Sequence, residues 1–137
     1  MRSNPPAVRL LLTVAVGLLL LACEAGPGSA SDVALGAEFT LAPGESAVAG
    51  DDGLRVSFES VTEDSRCPID AICVWAGRVV VDVTAGRGET RHFALSPGDA
   101  ADGDGFRLRL VRVEPYPSAA EPIPASAYRA TFVVDRA

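Results

Sequence analysis

The stretch Leu54-Arg55-Val56-Ser57-Phe58-Glu59 alternates apolar with polar side chains, the period of two that a strand with one buried face requires. A helix would scatter the same residues around its circumference. Beyond Glu59 the apolar parity slips at Ser60 and Val61. A β-bulge produces such a slip, because one extra residue in a strand turns those that follow to the other face. Phe106-Arg107-Leu108-Arg109-Leu110 repeats the alternation and slips in its turn at Val111 and Val113. Val79, Val81 and Val83 form a third apolar face, which the same parity extends back to Trp75, with Gly77 between them making room for a large neighbour or a bulge. Tyr128, Ala130, Phe132 and Val134 form a fourth.

Turn residues punctuate the rest. Pro43-Gly44 separates Glu38–Leu41 from Ser46–Ala49, as a small hairpin or two edge strands, and Asp51-Asp52-Gly53 leads into Leu54. Gly86-Arg87-Gly88 precedes Thr90–Leu95, with Phe93 and Leu95 inward, and residues 96–105 form a Gly- and Asp-rich loop. Pro115, Pro117, Pro122 and Pro124 stiffen a long irregular connection. The expected fold is all-β: an antiparallel sandwich of about seven strands, Ig-like or Greek-key, over residues 37–137. A flattened β-barrel is the alternative. In the sandwich, the proline-rich connection is expected to carry the chain from one sheet to the other.

The first 36 residues read differently. Arg2 and Arg9 precede a nearly unbroken apolar run from Leu10 to Leu21, the basic and apolar regions of an export signal. The run is shorter than the about 20 residues of a transmembrane helix. Leu20-Leu21-Ala22-Cys23 resembles the lipobox of bacterial lipoproteins. That resemblance implies a signal peptide at residues 1–22, diacylglyceryl on the Cys23 sulfur, cleavage before Cys23 and acylation of the new amino end. A plain secreted leader is the alternative. Residues 23–36 would then be the lipidated cysteine and a flexible tether, which floats the domain about 15 to 20 Å from the lipid. Glu24 after the lipid cysteine resembles the sorting pattern for an outer membrane.

Cysteine count and charge fit this placement. With Cys23 consumed as a thioether, the remaining two of the 3 cysteines, Cys67 and Cys73, form a pair, and disulfides persist outside the cytoplasm. Loss of Arg2 and Arg9 leaves 10 of 12 basic residues against 18 acidic ones, a net charge of −8. A domain this acidic is unsuited to nucleic acid or anionic headgroups.

The stretch Asp64 to Gly77, DSRCPIDAICVWAG, holds both of these cysteines and the single tryptophan. Cys67 and Cys73 enclose five residues and suit a local disulfide. The alternative, a thiolate metal site, needs about four ligands, and His92 is the only other soft candidate. The stretch resembles a signature, DSRCP then C-x-WAG before a valine-rich strand, of small, mostly uncharacterised bacterial secreted proteins and lipoproteins. VRVEPYP and the Tyr128 strand extend the likeness over most of the mature domain; it implies a fold and no activity. Trp75 is expected in the core beside the disulfide. In the competing reading, Arg66, Pro68, Asp70 and Trp75 are presented as an exposed recognition loop.

No catalytic constellation stands out: His92 is the single histidine, and both mature cysteines are expected to be oxidised. Asp99, Asp102 and Asp104 suggest calcium only loosely, because Val113 stands where the closing Glu would be. With one His and no methionine beyond Met1, copper and haem lack soft ligands. The expectation is a lipid-anchored, noncatalytic envelope module without metal or cofactor, outside the cytoplasm on the cell or outer membrane, binding an envelope protein or cell-wall component. The alternative is a protease inhibitor presenting the Cys67–Cys73 loop.

Overall fold

The computed structural model describes residues 30–137. The expected leader, Cys23 and the first part of the expected tether lie outside the described residues. Nine strands follow: β1 (Ser31–Val33), β2 (Glu38–Leu41), β3 (Ser46–Ala49), β4 (Leu54–Asp64), β5 (Val79–Gly86), β6 (Arg91–Leu95), β7 (Ala100–Asp102), β8 (Phe106–Glu114) and β9 (Arg129–Arg136). They form a five-stranded sheet in the order β1-β3-β4-β5-β6 and a four-stranded sheet in the order β2-β9-β8-β7. The two stay separate, so the molecule is a β-sandwich and not a barrel.

The alternating faces meet in the middle. Leu54, Val56 and Phe58 of β4, Val79, Val81 and Val83 of β5, Leu108 and Leu110 of β8, and Phe132 and Val134 of β9 are almost fully buried. Phe132 sits at the centre, its ring centroid 5.9 Å from Phe39 and 6.3 Å from Phe58 in a tilted and an edge-on contact. Both parity slips are bulges. The β4/β5 register shifts between Phe58 and Ser60 and again between Val61 and Glu63, and the β8/β9 register shifts between Leu110 and Arg112.

Four expectations are corrected. The proline-rich connection joins β8 to β9, neighbours in one sheet, while the chain changes sheets between β1 and β2, β2 and β3, and β6 and β7. Glu38–Leu41 and Ser46–Ala49 form no hairpin, since β2 pairs with β9 and β3 with β4; of the two, β2 is an edge strand and β3 lies between β1 and β4. The folded domain begins at Ser31, within the stretch expected to be tether: β1 pairs with β3, the one parallel pair, and Val33 and Leu35 pack on the core. Residues 96–105 include the short strand β7, paired with β8.

All of this defines two poles. β4 runs from the 50–53 turn toward Asp64, and β5 returns from Val79, so residues 65–78 cap one end of the sandwich. Glu114 pairs with Arg129 at that same end, so residues 115–128 lie beside them.

Candidate functional site

The loop between β4 and β5 is closed at its base by backbone. Ser65 N–H donates to Arg78 O at 2.7 Å, and Cys67 N–H donates to Ala76 O at 3.0 Å. Gly77 makes that closure possible. Its φ is +65°, and a Cβ there would collide with the Ser65 carbonyl, so the requirement for glycine is a backbone approach and not space for a large side chain. Above the base, Cys67 and Cys73 are bonded, with Cα atoms 5.9 Å apart. Ala71 N–H donates to Pro68 O at 3.1 Å, so the half-buried Pro68 opens a turn within the ring.

Arg66 locks this loop to the other sheet. Its guanidinium donates from Nε to Asp64 Oδ1 at 2.8 Å and from Nη2 to Asp64 Oδ2 at 2.7 Å, a bidentate fork. The remaining donors reach Val113 O at 2.9 Å and Pro115 O at 2.9 Å. The guanidinium carbon lies 4.7 Å from the centroid of the Tyr116 ring, and Tyr128 Oη donates to Asp64 Oδ2 at 2.9 Å. Arg66 is only 8% exposed. The competing reading that presents Arg66 on a recognition surface is therefore corrected: Asp64 and Arg66 form an internal clamp. Asp70 is exposed, but it too faces the 115–128 connection, accepting from Ala119 N–H at 2.7 Å and Ser118 Oγ at 3.3 Å.

Trp75 is the second correction. It is 78% exposed and lies outside β5, which begins at Val79. The turn at Gly77 breaks the parity that would have continued the valine face. Ile69, Ile72 and Val74 are exposed with it, Ile72 completely, and half-exposed Tyr116 lies on the adjoining connection. All the large exposed hydrophobic side chains among the described residues thus gather at one pole. The sequence carried a partial signal for this: Ile69 and Ile72 inside the ring and Val74 just after it have no period to place them on a strand, although Trp75 continues the valine parity.

The ionisation of Asp64 follows from the clamp. Burial alone would raise its pKa, but the bonds from Arg66 and Tyr128 and the Arg66 charge outweigh that cost and hold the carboxyl below the ordinary range. A group depressed in the folded state contributes stability above its unfolded pKa of about 3.9, and that stability disappears as pH falls through the folded value. The melting temperature should therefore drop as pH falls below about 4. Asp64→Asn should melt lower at neutral pH and show a shallower acid decline; an equally steep decline in both proteins would refute this role for Asp64.

The other candidates stand apart. His92 is exposed on β6, with Nδ1 3.3 Å from Asp82 Oδ1. Asp99 Oδ2 accepts from Ser96 N–H at 2.9 Å, and Asp102 pairs with Arg107 at 3.0 Å, so both serve their own turn and strand. Among the described residues no three His, Cys, Asp or Glu side chains converge as a metal site, and no helix is long and apolar enough to cross a membrane. Comparisons with protein-family models, with curated proteins and with solved structures find no match to this chain.

Proposed function

We propose that this chain is a lipid-anchored envelope protein whose β domain is a noncatalytic binding module, and that its contact surface is the disulfide-closed loop with Val74 and Trp75. The concentration of Ile69, Ile72, Val74, Trp75 and Tyr116 at one pole carries the reading. Single exposed apolar residues are ordinary, whereas a contiguous patch rimmed by polar groups marks an interaction site. The ring, its backbone base and the Arg66 clamp hold these side chains in place before any partner arrives, which lowers the ordering cost of binding. The disulfide and the lipobox-like Leu20-Leu21-Ala22-Cys23 both favour a location outside the cytoplasm.

A protease inhibitor would use the same ring. That reading has less support: Pro68 to Ala71 is turned, and Asp70 faces its own domain, whereas main-chain recognition in an extended groove needs an extended segment. The anchor is tested directly. Cys23→Ser should abolish incorporation of labelled fatty acid and stop processing before residue 23, and unchanged labelling in that variant would refute it.

A further inference from the structure

We infer that the occupant of the exposed loop is the lipid bilayer itself: Ile69, Ile72, Val74 and Trp75 insert into the headgroup and acyl boundary beside the Cys23 anchor. This rests on the lipoprotein reading above and adds the identity of the partner.

The position where the described chain begins carries the argument. β1 runs parallel to β3, and β3 runs toward the 50–53 turn, so β1 itself points away from the pole that carries Trp75, with Ser31 at its nearer end. Ser31 pairs with Ala47, Ala47 with Val56, and Val56 with Ala85, which fixes its level along β5. From Ala85 back to Val79, at the base of the loop, is six residues, or about 20 Å of strand. The eight residue steps from Cys23 to Ser31 can span up to about 27 Å. With the tether drawn out, the acylated cysteine can therefore reach the base of the loop with about 7 Å to spare toward the apolar side chains beyond it. The domain would then stand on this pole and not float free of the lipid.

The chemistry of the loop fits a bilayer better than a protein groove. Ile69, Ile72, Val74 and Trp75 are 75, 104, 93 and 78% exposed, so they project into solvent with little protein surface around them, whereas a stable protein interface asks for about 800 Å² of complementary surface per partner. A bilayer asks only for apolar side chains that enter about 5 to 10 Å, and Trp and Tyr are favoured at that depth. Arg66 holds Asp64, Arg78 pairs with Glu63 at 2.9 Å, and Asp70 is turned to Ala119, while Glu121 on the adjoining connection is exposed. Insertion should therefore be insensitive to salt and should not require anionic lipid, as the acidic domain demands.

The single tryptophan is the reporter. The fatty-acid-labelled full-length protein, processed by the cell and purified, is reconstituted into phosphatidylcholine vesicles with or without bromine on the upper acyl chain. Trp75 emission should shift to the blue on plain vesicles and fall at least about twofold on brominated ones. Ile72→Asp, at a fully exposed position, should keep the fold and the label on Cys23 but remove most of that quenching. A labelled protein whose Trp75 emits as in water on both vesicles overturns the insertion and leaves the anchor standing. Trp75 shielded in whole cells but water-like on pure lipid assigns the loop to a protein partner and also overturns it. Absence of label at Cys23 removes the anchor and this inference together.

Discussion

Arg66→Ala is expected to destabilise the domain by about 3 to 5 kcal/mol, because removing one partner of a buried ion pair leaves the other charge uncompensated. Here the stranded groups are the Asp64 carboxylate and the Val113 and Pro115 carbonyls. The two side chains are nearly enclosed, with 6% and 11% of their surface exposed, so the screening that makes surface pairs nearly worthless does not apply. For a domain of this size the loss corresponds to a fall in melting temperature of more than about 10 °C. Arg66→Lys should recover little of it. One ammonium cannot fork to both Asp64 oxygens, reach two carbonyls and stack on Tyr116. In the double variant with Asp64→Ala the loss should be smaller than the sum of the single losses, since each single change already breaks the pair. The check is thermal and denaturant unfolding of the parent, the three single variants and the double variant; Arg66→Ala melting within about 2 °C of the parent would refute the clamp.

Why the clamp escapes a reading of the chain is a matter of range. Asp64 and Arg66 are two residues apart, but the carbonyls that make the arginine indispensable belong to Val113 and Pro115 at the far end of β8. No local pattern announces them. Sheet membership is nonlocal in the same way. The proline-rich connection looks long enough to change sheets and instead returns to the adjacent strand, because β8 and β9 share a register through Phe106 and Arg136. β1 and β7 have three residues each, too few for a period to show. What was legible is what alternation encodes: the faces of β4, β5, β8 and β9 and the bulges in β4 and β8.

The two classes of aromatic residue give the sharpest contrast. Hydrophobicity and parity both nominate Trp75 for the core, yet Gly77 turns the chain before β5 begins and leaves the indole outside. The central aromatic of the core is Phe132, fully buried against its cross-strand partner Phe39 in the same sheet and Phe58 on the facing sheet. Phe132→Ala should therefore cost about 3 to 5 kcal/mol through lost transfer energy and the cavity left behind, a large share of the roughly 5 to 15 kcal/mol available to a domain. The cavity would open at the centre, where strands paired on both sides cannot move inward to close it. Trp75→Ala removes a larger side chain and should change stability by no more than about 0.5 kcal/mol, as at any exposed position away from a cap, a clamp or the core. In the insertion inferred above, its effect falls on lipid binding. Melting the two purified variants side by side decides the matter: a Trp75→Ala protein that unfolds as early as Phe132→Ala would return the indole to the core and remove the contact surface on which the functional reading depends.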